Sequence, residues 1–361
     1  MPPVRRFELV GDGHSKFWEI SQTGSEVTVH FGRIGTEGQT QARDVGSWEE
    51  AAERVRKLVA EKLREGYVEV EGSGPRPSDL PGFRRPPALP PLELPLLPED
   101  GPLTLGGVKL PNGRRLKGDP HFKPMGVEPV EQPVIWATES TVRNAGRALY
   151  ELRQAAAAVN LVPVLLSGLD SEPNRPWDPA EFCPTDPRRA ILFDVAAELA
   201  NSWTANLAEG DDEALAVVRP FGRQFPGMAA APSDLRRISD DRDILDKIRD
   251  RRLALVAADR PADVVAAIGW TGAVNAHEDP ALLSAVLRSW EVRWKARVVA
   301  MGFATLTLTV GNPPRDEKAA LAVAAEHFAL CPDNIWQGSL DTMTAYAAHL
   351  RDNRMWEFWW D

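Results

Sequence analysis

The stretch VTVHFGRIGTEGQT, residues 27–40, alternates apolar and polar side chains, breaks at glycine and resumes as QTQARDV. Alternation with period two marks a strand with one buried face, and glycine supplies the backbone freedom for the turn. Two further alternating runs precede it, RFELV and SKFWEIS, and Gly13, Gly24 and Gly35 punctuate the series. The pattern predicts four short strands in a small antiparallel sheet. A helix follows, capped by Ser47 with Glu50 as its capping-box partner, and Ala51, Val55, Leu58, Val59 and Leu63 recur on one face until Gly66. One helix laid on that sheet buries both apolar stripes. Where the third strand ends, an aromatic residue, a glycine and a cation stand in succession: Phe31, Gly32 and Arg33. Two readings stand for them. In strand phase Phe31 falls with Val27 and Val29 as core, Gly32 serves the backbone, and Arg33 pairs with an acid such as Glu37. In the other, ring and guanidinium form a grip on a partner.

The chain has 361 residues, 43% hydrophobic and 26% charged, an ordinary globular balance with room for two or three domains. Fifteen of its 31 prolines fall between Pro75 and Pro133, and PGFRRPPALPPLELPLLPED holds neither a helix nor a central strand. An extended proline-rich linker over residues 73–102 therefore separates a compact unit at 1–72 from a larger one at 103–361. The formal charge of −10 excludes a protein whose whole surface tracks phosphates. MPPVRRFELV lacks the apolar core of a signal peptide, and AAAAVNLVPVLLSGL is interrupted by Asn160 and Pro163. These features predict a cytoplasmic protein with no membrane partner. Cys183 and Cys331 are too few for a disulfide framework or a structural zinc site, and both are expected as buried free thiols.

SKFWEI, HFGRIGTEGQT and the SWEEAAERVRKLVAEKLREGYVEV helix and closing strand resemble, in order, a WGR domain across about residues 4–71. This module, named for its Trp-Gly-Arg, occurs in poly(ADP-ribose) polymerases and in bacterial proteins. In the polymerases it lies against DNA ends and neighbouring domains, the aromatic packing on the terminal nucleotide and the basic residue making polar contacts. The resemblance thus implies Phe31, Gly32 and Arg33 as contacts to a DNA end or to another protein. Phenylalanine stands here where the family has tryptophan, which removes the indole donor and some stacking area. Residues 1–72 hold ten Lys and Arg against thirteen Asp and Glu, leaving −3. That balance argues against DNA binding on electrostatics alone and leaves weak or end-specific binding, or protein docking, as the readings.

The larger unit reads as mixed α/β. LTLGGVKLPNGRRLK predicts a hairpin turning at Asn112-Gly113. PVIWATES, VPVLLSGL and LALVAA read as buried strands, and NAGRALYELRQAAAAV as a helix. DPRRAILFDVAAELANSWTANL is expected as one helix, and PSDLRRISDDRDILDKIRDRR as another with Leu235, Ile238, Leu245 and Ile248 as its buried stripe and its charges solvated. Asp279-Pro280 starts a helix anchored by Leu283, Leu287, Trp290 and Trp294. Two adjacent strands, RVVAMG and FATLTLTV, come next, then a helix over residues 316–330, a CPDNIWQG loop, a helix capped by Ser339, and a last strand, MWEFWW. GWTGAVN, LRSWEVRW, AAEHFALCPDN and WEFWWD, with core motifs at 250–361, resemble a bacterial family of unknown function numbered 4253. That resemblance implies no activity.

Recognised catalytic motifs are lacking: the chain has no phosphate-binding GxxxxGK[ST], no GxGxxG, no GxSxG elbow and no HExxH. The polar candidates are Glu291, Arg293, Glu326, His327, Asp333 and Asp361. Converging, they would make an acid/base or metal-assisted hydrolytic site; singly, each has a structural role. Trp290, Trp294, Trp356 and Trp360 have core spacing, whereas Trp359, out of phase, is a candidate for a partner surface. No metal and no cofactor are implied. The favoured reading is a non-enzymatic two-module binding protein. The alternatives are a hydrolase or nuclease built on the His327, Asp333 and Glu291 region, and a stress, defence or toxin-neutralising factor that masks a protein surface.

Overall fold

The computed structural model describes residues 4–11, 14–34, 39–64, 67–70, 92–124, 127–207, 212–232 and 239–361. The chain divides into two compact units, one formed chiefly by residues 1–88 and the other chiefly by 89–361.

In the first unit, strands β1 (Arg5–Gly11), β2 (His14–Thr23), β3 (Glu26–Arg33), β4 (Gln39–Asp44) and β5 (Val68–Val70) form a sheet in the order β4-β3-β2-β1-β5. Every pairing is antiparallel. Helix α1 (Trp48–Arg64) starts where Ser47 Oγ accepts from the Glu50 amide at 3.1 Å, satisfying one of the orphan donors of a helix start. Ala51 and Val59 seal against Phe7, Trp18, Ile20, Val27 and Tyr67, with Val55 and Leu58 half-buried beside them. Leu63, expected on this face, is exposed. Glu37, Gly13, Gly35, Gly66 and the linker as far as residue 91 lie outside the described residues.

The second unit begins before Leu103, because Leu94 and Leu97 already pack on its core and the Glu99 carbonyl accepts from Trp136 Nε1 at 3.1 Å. Its eight strands are β6 (Gly101–Leu105), β7 (Val108–Leu116), β8 (Ile135–Thr138), β9 (Leu161–Leu166), β10 (Arg252–Ala257), β11 (Ala296–Met301), β12 (Thr305–Val310) and β13 (Met355–Trp359). They lie in the order β13-β12-β11-β9-β10-β8-β7-β6. Only β9 and β11 run parallel. The helices are α2 (Ala145–Ala157), α3 (Val195–Asn206), α4 (Asp212–Val217), α5 (Arg242–Leu245), α6 (Val264–Ile268), α7 (Pro280–Trp294), α8 (Glu317–Leu330), α9 (Asp333–Trp336) and α10 (Met343–Leu350). The protein is thus mixed α/β, with a small antiparallel sheet and one helix ahead of a larger mixed sheet.

Several local expectations change. The first hairpin turns at Gly106-Gly107, both at positive φ, and Asn112-Gly113 continues β7. Gly113 is there for packing: a Cβ on it would collide with the Trp136 ring. The helix expected across residues 186–207 breaks into a 3-10 turn, Pro187–Leu192, and α3. Of the long charged helix only α5 is helical among the described residues; Leu245 is buried and Ile248 packs beside it, while Leu235 and Ile238 lie outside them. CPDNIWQG contains α9, and α10 is capped by Thr342, whose side chain accepts from the Ala345 amide, not by Ser339. Asp279 caps α7 as expected, accepting from the Ala281 amide at 2.9 Å, and Leu283, Leu287, Trp290 and Trp294 are buried. Both cysteines are buried and free.

Candidate functional site

In the first unit the β2–β3 register sets Trp18 opposite Phe31, Phe17 opposite Gly32 and Lys16 opposite Arg33. Phe31 is half-buried and packs on the apolar cluster, so the core reading accounts for one side of its ring. Gly32 is likewise half-exposed and Lys16 is exposed; the Arg33 side chain lies outside the described residues. The sheet's other face carries a polar cluster that sequence reasoning missed. Arg6 Nη1 donates to Glu19 at 2.8 Å and its Nε to Glu8 at 2.8 Å, His30 Nδ1 meets Glu19 at 2.6 Å, and the Arg6 guanidinium lies 4.6 Å over the Phe17 ring. His30 first, then Arg6, hold the Glu19 carboxyl below its usual range against the opposing effect of burial. The cluster, which includes Phe17, ties β1, β2 and β3 together on the face opposite Trp18 and Phe31.

In the second unit the nominated residues separate into distinct groups. Glu326 is fully buried and accepts four hydrogen bonds. Arg293 donates two, at 2.7 and 2.6 Å, Trp290 Nε1 donates at 2.8 Å and the Ala229 amide at 2.6 Å. Arg293 also donates to Ser289 and to the Ala229 carbonyl, closing the clamp. The hydrogen-bond capacity of that carboxylate is consumed by fold contacts. Glu291, two residues before Arg293 on α7, stands 3.4 Å from Arg260, and desolvation raises its pKa. Asp333 accepts from Gln337 at 3.3 Å and from the Asp361 amide at 3.2 Å. Asn334 donates to the Glu357 carbonyl and accepts from the Trp359 amide, so it fastens edge strand β13; Trp359 itself is half-buried.

His327 lies in the interior. Its ring is fully buried among Trp290, Trp356 and Phe358 at centroid distances of 4.6–4.8 Å, and Nδ1 meets the Tyr346 hydroxyl at 3.1 Å. Tyr346 was not foreseen as its partner; it sits 19 residues on, in another helix. Burial first, and then the Arg293 charge, push the imidazole pKa well below its ordinary 6.5. The unfolded chain therefore binds a proton that the fold refuses, and stability present above pH 6.5 is lost as pH falls below it, by up to about 1.4 kcal/mol per unit. We expect His327→Gln to flatten the fall in urea midpoint between pH 7 and pH 5. An unchanged pH dependence in that variant would assign the acid sensitivity elsewhere.

Two concavities lie apart from these positions. A groove of about 560 Å³ runs between Phe221 and Leu321, and a recess of about 230 Å³ lies beside Cys183; neither is lined by any of the six. Burial pushes the Cys183 thiol up to about 11, which leaves it a poor nucleophile. Among the described residues no group of three or more His, Cys, Asp or Glu is placed to hold a metal ion. No helix among them is long and apolar enough to cross a membrane.

Comparison with known proteins finds two family matches in the chain. The WGR domain family matches residues 4–74, and a domain of unknown function, DUF4253, matches residues 252–361. Protein YehF of Escherichia coli (strain K12) is 36% identical over 66 residues, 18% of this chain and 24% of that protein. Uncharacterized protein YfeS of the same organism is 31% identical over 65 residues, 18% of this chain and 27% of that one. The match thus spans about a quarter of either relative. A crystal structure of a Bacteroides fragilis protein shares 41% identity over 19% of each chain, with a TM-score of 0.19. The chain carries a WGR domain, a module that in general binds nucleic acids or proteins, ahead of DUF4253.

Proposed function

We propose that this chain is a two-module binding protein whose WGR unit docks on a nucleic-acid end through Lys16, Phe31, Gly32 and Arg33. The observation that carries the reading is the ladder end itself, where the backbone register sets a lysine position opposite an arginine position beside a half-exposed ring. Like charges directly opposite on a sheet are destabilising, and an anion placed between them reverses the sign. The −3 balance of residues 1–72 argues against an extended positive surface, which suits an end rather than a continuous duplex. Phe31 keeps one side on the core and offers an edge for stacking on a terminal sugar or base.

The enzymatic alternative draws no support from His327, Asp333 and Glu291, which occupy separate surroundings. We expect the double variant Lys16→Ala, Arg33→Ala to bind a short blunt duplex about tenfold more weakly by fluorescence anisotropy. We expect its log–log salt slope to be shallower by about 2, near 0.9 per lost phosphate contact. A parent protein that binds blunt and end-free duplexes equally would defeat end docking and leave protein docking as the role of this face.

A further inference from the structure

We infer that the second unit carries its own phosphate-binding strip, formed by Arg143, Arg249 and Arg251 where α2 begins. The backbone brings these residues together. Val142 and Arg251 form an antiparallel bridge, the Asp250 amide donates to the Arg143 carbonyl at 3.3 Å, and the Gly146 amide donates to the Ile248 carbonyl at 3.0 Å. Residues 248–251 are thereby laced along the start of α2, and all three arginines are exposed.

Many arginines of this unit face carboxylates, as Arg153 does Asp241, Arg175 does Glu181, Arg188 does Asp186, Arg288 does Asp263 and Arg354 does Asp243. None of the three strip arginines makes an ion pair among the described residues. Arg249 donates to the neutral Asn144 amide oxygen, and Arg251 reaches only the carbonyls of residues 249 and 250. Asp250 stands between two of them, Lys247 adds a positive charge alongside, and Arg147, one turn along α2, is held by Glu151. In a chain of net charge −10, three neighbouring guanidiniums outside any ion pair, with Lys247 beside them, outweigh Asp250 and concentrate a local positive potential against the overall sign. The planar guanidinium fork suits phosphate oxygens, and phosphodiester groups of a nucleic acid are the ligand class. This inference rests on the docking reading for its polymer, since one phosphate-bearing chain would serve both units. It is carried by different residues.

The test is anisotropy of the full chain on two probes, a short blunt duplex and a closed circular duplex without ends, across a salt series. Arg143→Ala, Arg249→Ala, Arg251→Ala should weaken binding to both by about tenfold or more and make the salt slope shallower by about 2–3. The triple Arg→Lys variant should keep most of the slope, which separates charge from any local unfolding. A triple alanine variant with unchanged affinity and slope overturns the strip while leaving end docking intact. Loss in that variant, alongside no effect of the Lys16/Arg33 pair, upholds the strip and removes end docking. A parent chain that binds neither probe overturns both.

Discussion

Glu326→Ala will lower the urea midpoint of the second unit by the equivalent of about 3–5 kcal/mol, the usual cost of removing one partner of a buried ion pair. Four donors point at that carboxylate and water reaches none of its surface. Without it the Arg293 guanidinium stays mostly buried, since only 13% of its side chain is exposed, and the Trp290 and Ala229 donors lose their acceptor. Each orphaned donor adds to the loss because its desolvation is no longer offset. Glu326→Gln should fall between parent and alanine: the amide oxygen still accepts, but its NH2 faces donors. Arg293→Met combined with Glu326→Leu should recover part of the loss, because apolar groups of similar volume remove both charges together. A near-neutral Glu326→Ala would show that the clamp is not structural and would reopen an acid/base role for this residue.

Much of the architecture was legible because it depends on neighbours in the chain. β2 and β3 alternate cleanly, and the tight turn at Gly24 fixes their register along the whole ladder, including Lys16 opposite Arg33. That pairing was within reach of the sequence once the turn was placed; the motif drew attention to Arg33 alone. Asp279 and Pro280 announced α7 for the same local reason. The misreadings have tertiary causes. Asn112-Gly113 carries a strong hairpin signal, yet the Trp136 ring claims the glycine as a packing site, and Gly106-Gly107 turns the chain. The Glu326 clamp joins residues 33 and 97 positions apart, so spacing alone gave no sign of it. His327 follows Val323 by one turn, and nothing local reveals the aromatic ring stack supplied by α7 and β13.

Gly269→Ala should be as damaging as loss of the clamp, through the backbone rather than through charge. Gly269 ends α6 in the left-handed region at φ 68°, its amide donating to the Val265 and Ala266 carbonyls at 3.0 Å. An alanine there carries about 1–2 kcal/mol of conformational strain. Its Cβ would also fall on the Cys183 carbonyl oxygen, and that strand of backbone has no freedom to retreat. The Cys183 amide bonds the Gly269 carbonyl at 3.1 Å, Thr185 Oγ1 bonds the Ala266 carbonyl at 2.7 Å, and Phe182 bridges Trp270. On the other side Ser284 of α7 accepts from the Ala266 amide at 3.1 Å, so α6 is held from two directions. Overpacking of this kind costs about 1–3 kcal/mol, and the two effects together should lower the melting temperature by roughly 5–15 °C in a unit of this size. Gly222→Ala is the matched control, since a Cβ there meets nothing within 4 Å and the glycine is not at positive φ. It should stay within about 0.5 kcal/mol of the parent. Equal losses at the two glycines would mean that general chain stiffness, not the collision with the Cys183 carbonyl, governs this corner of the fold.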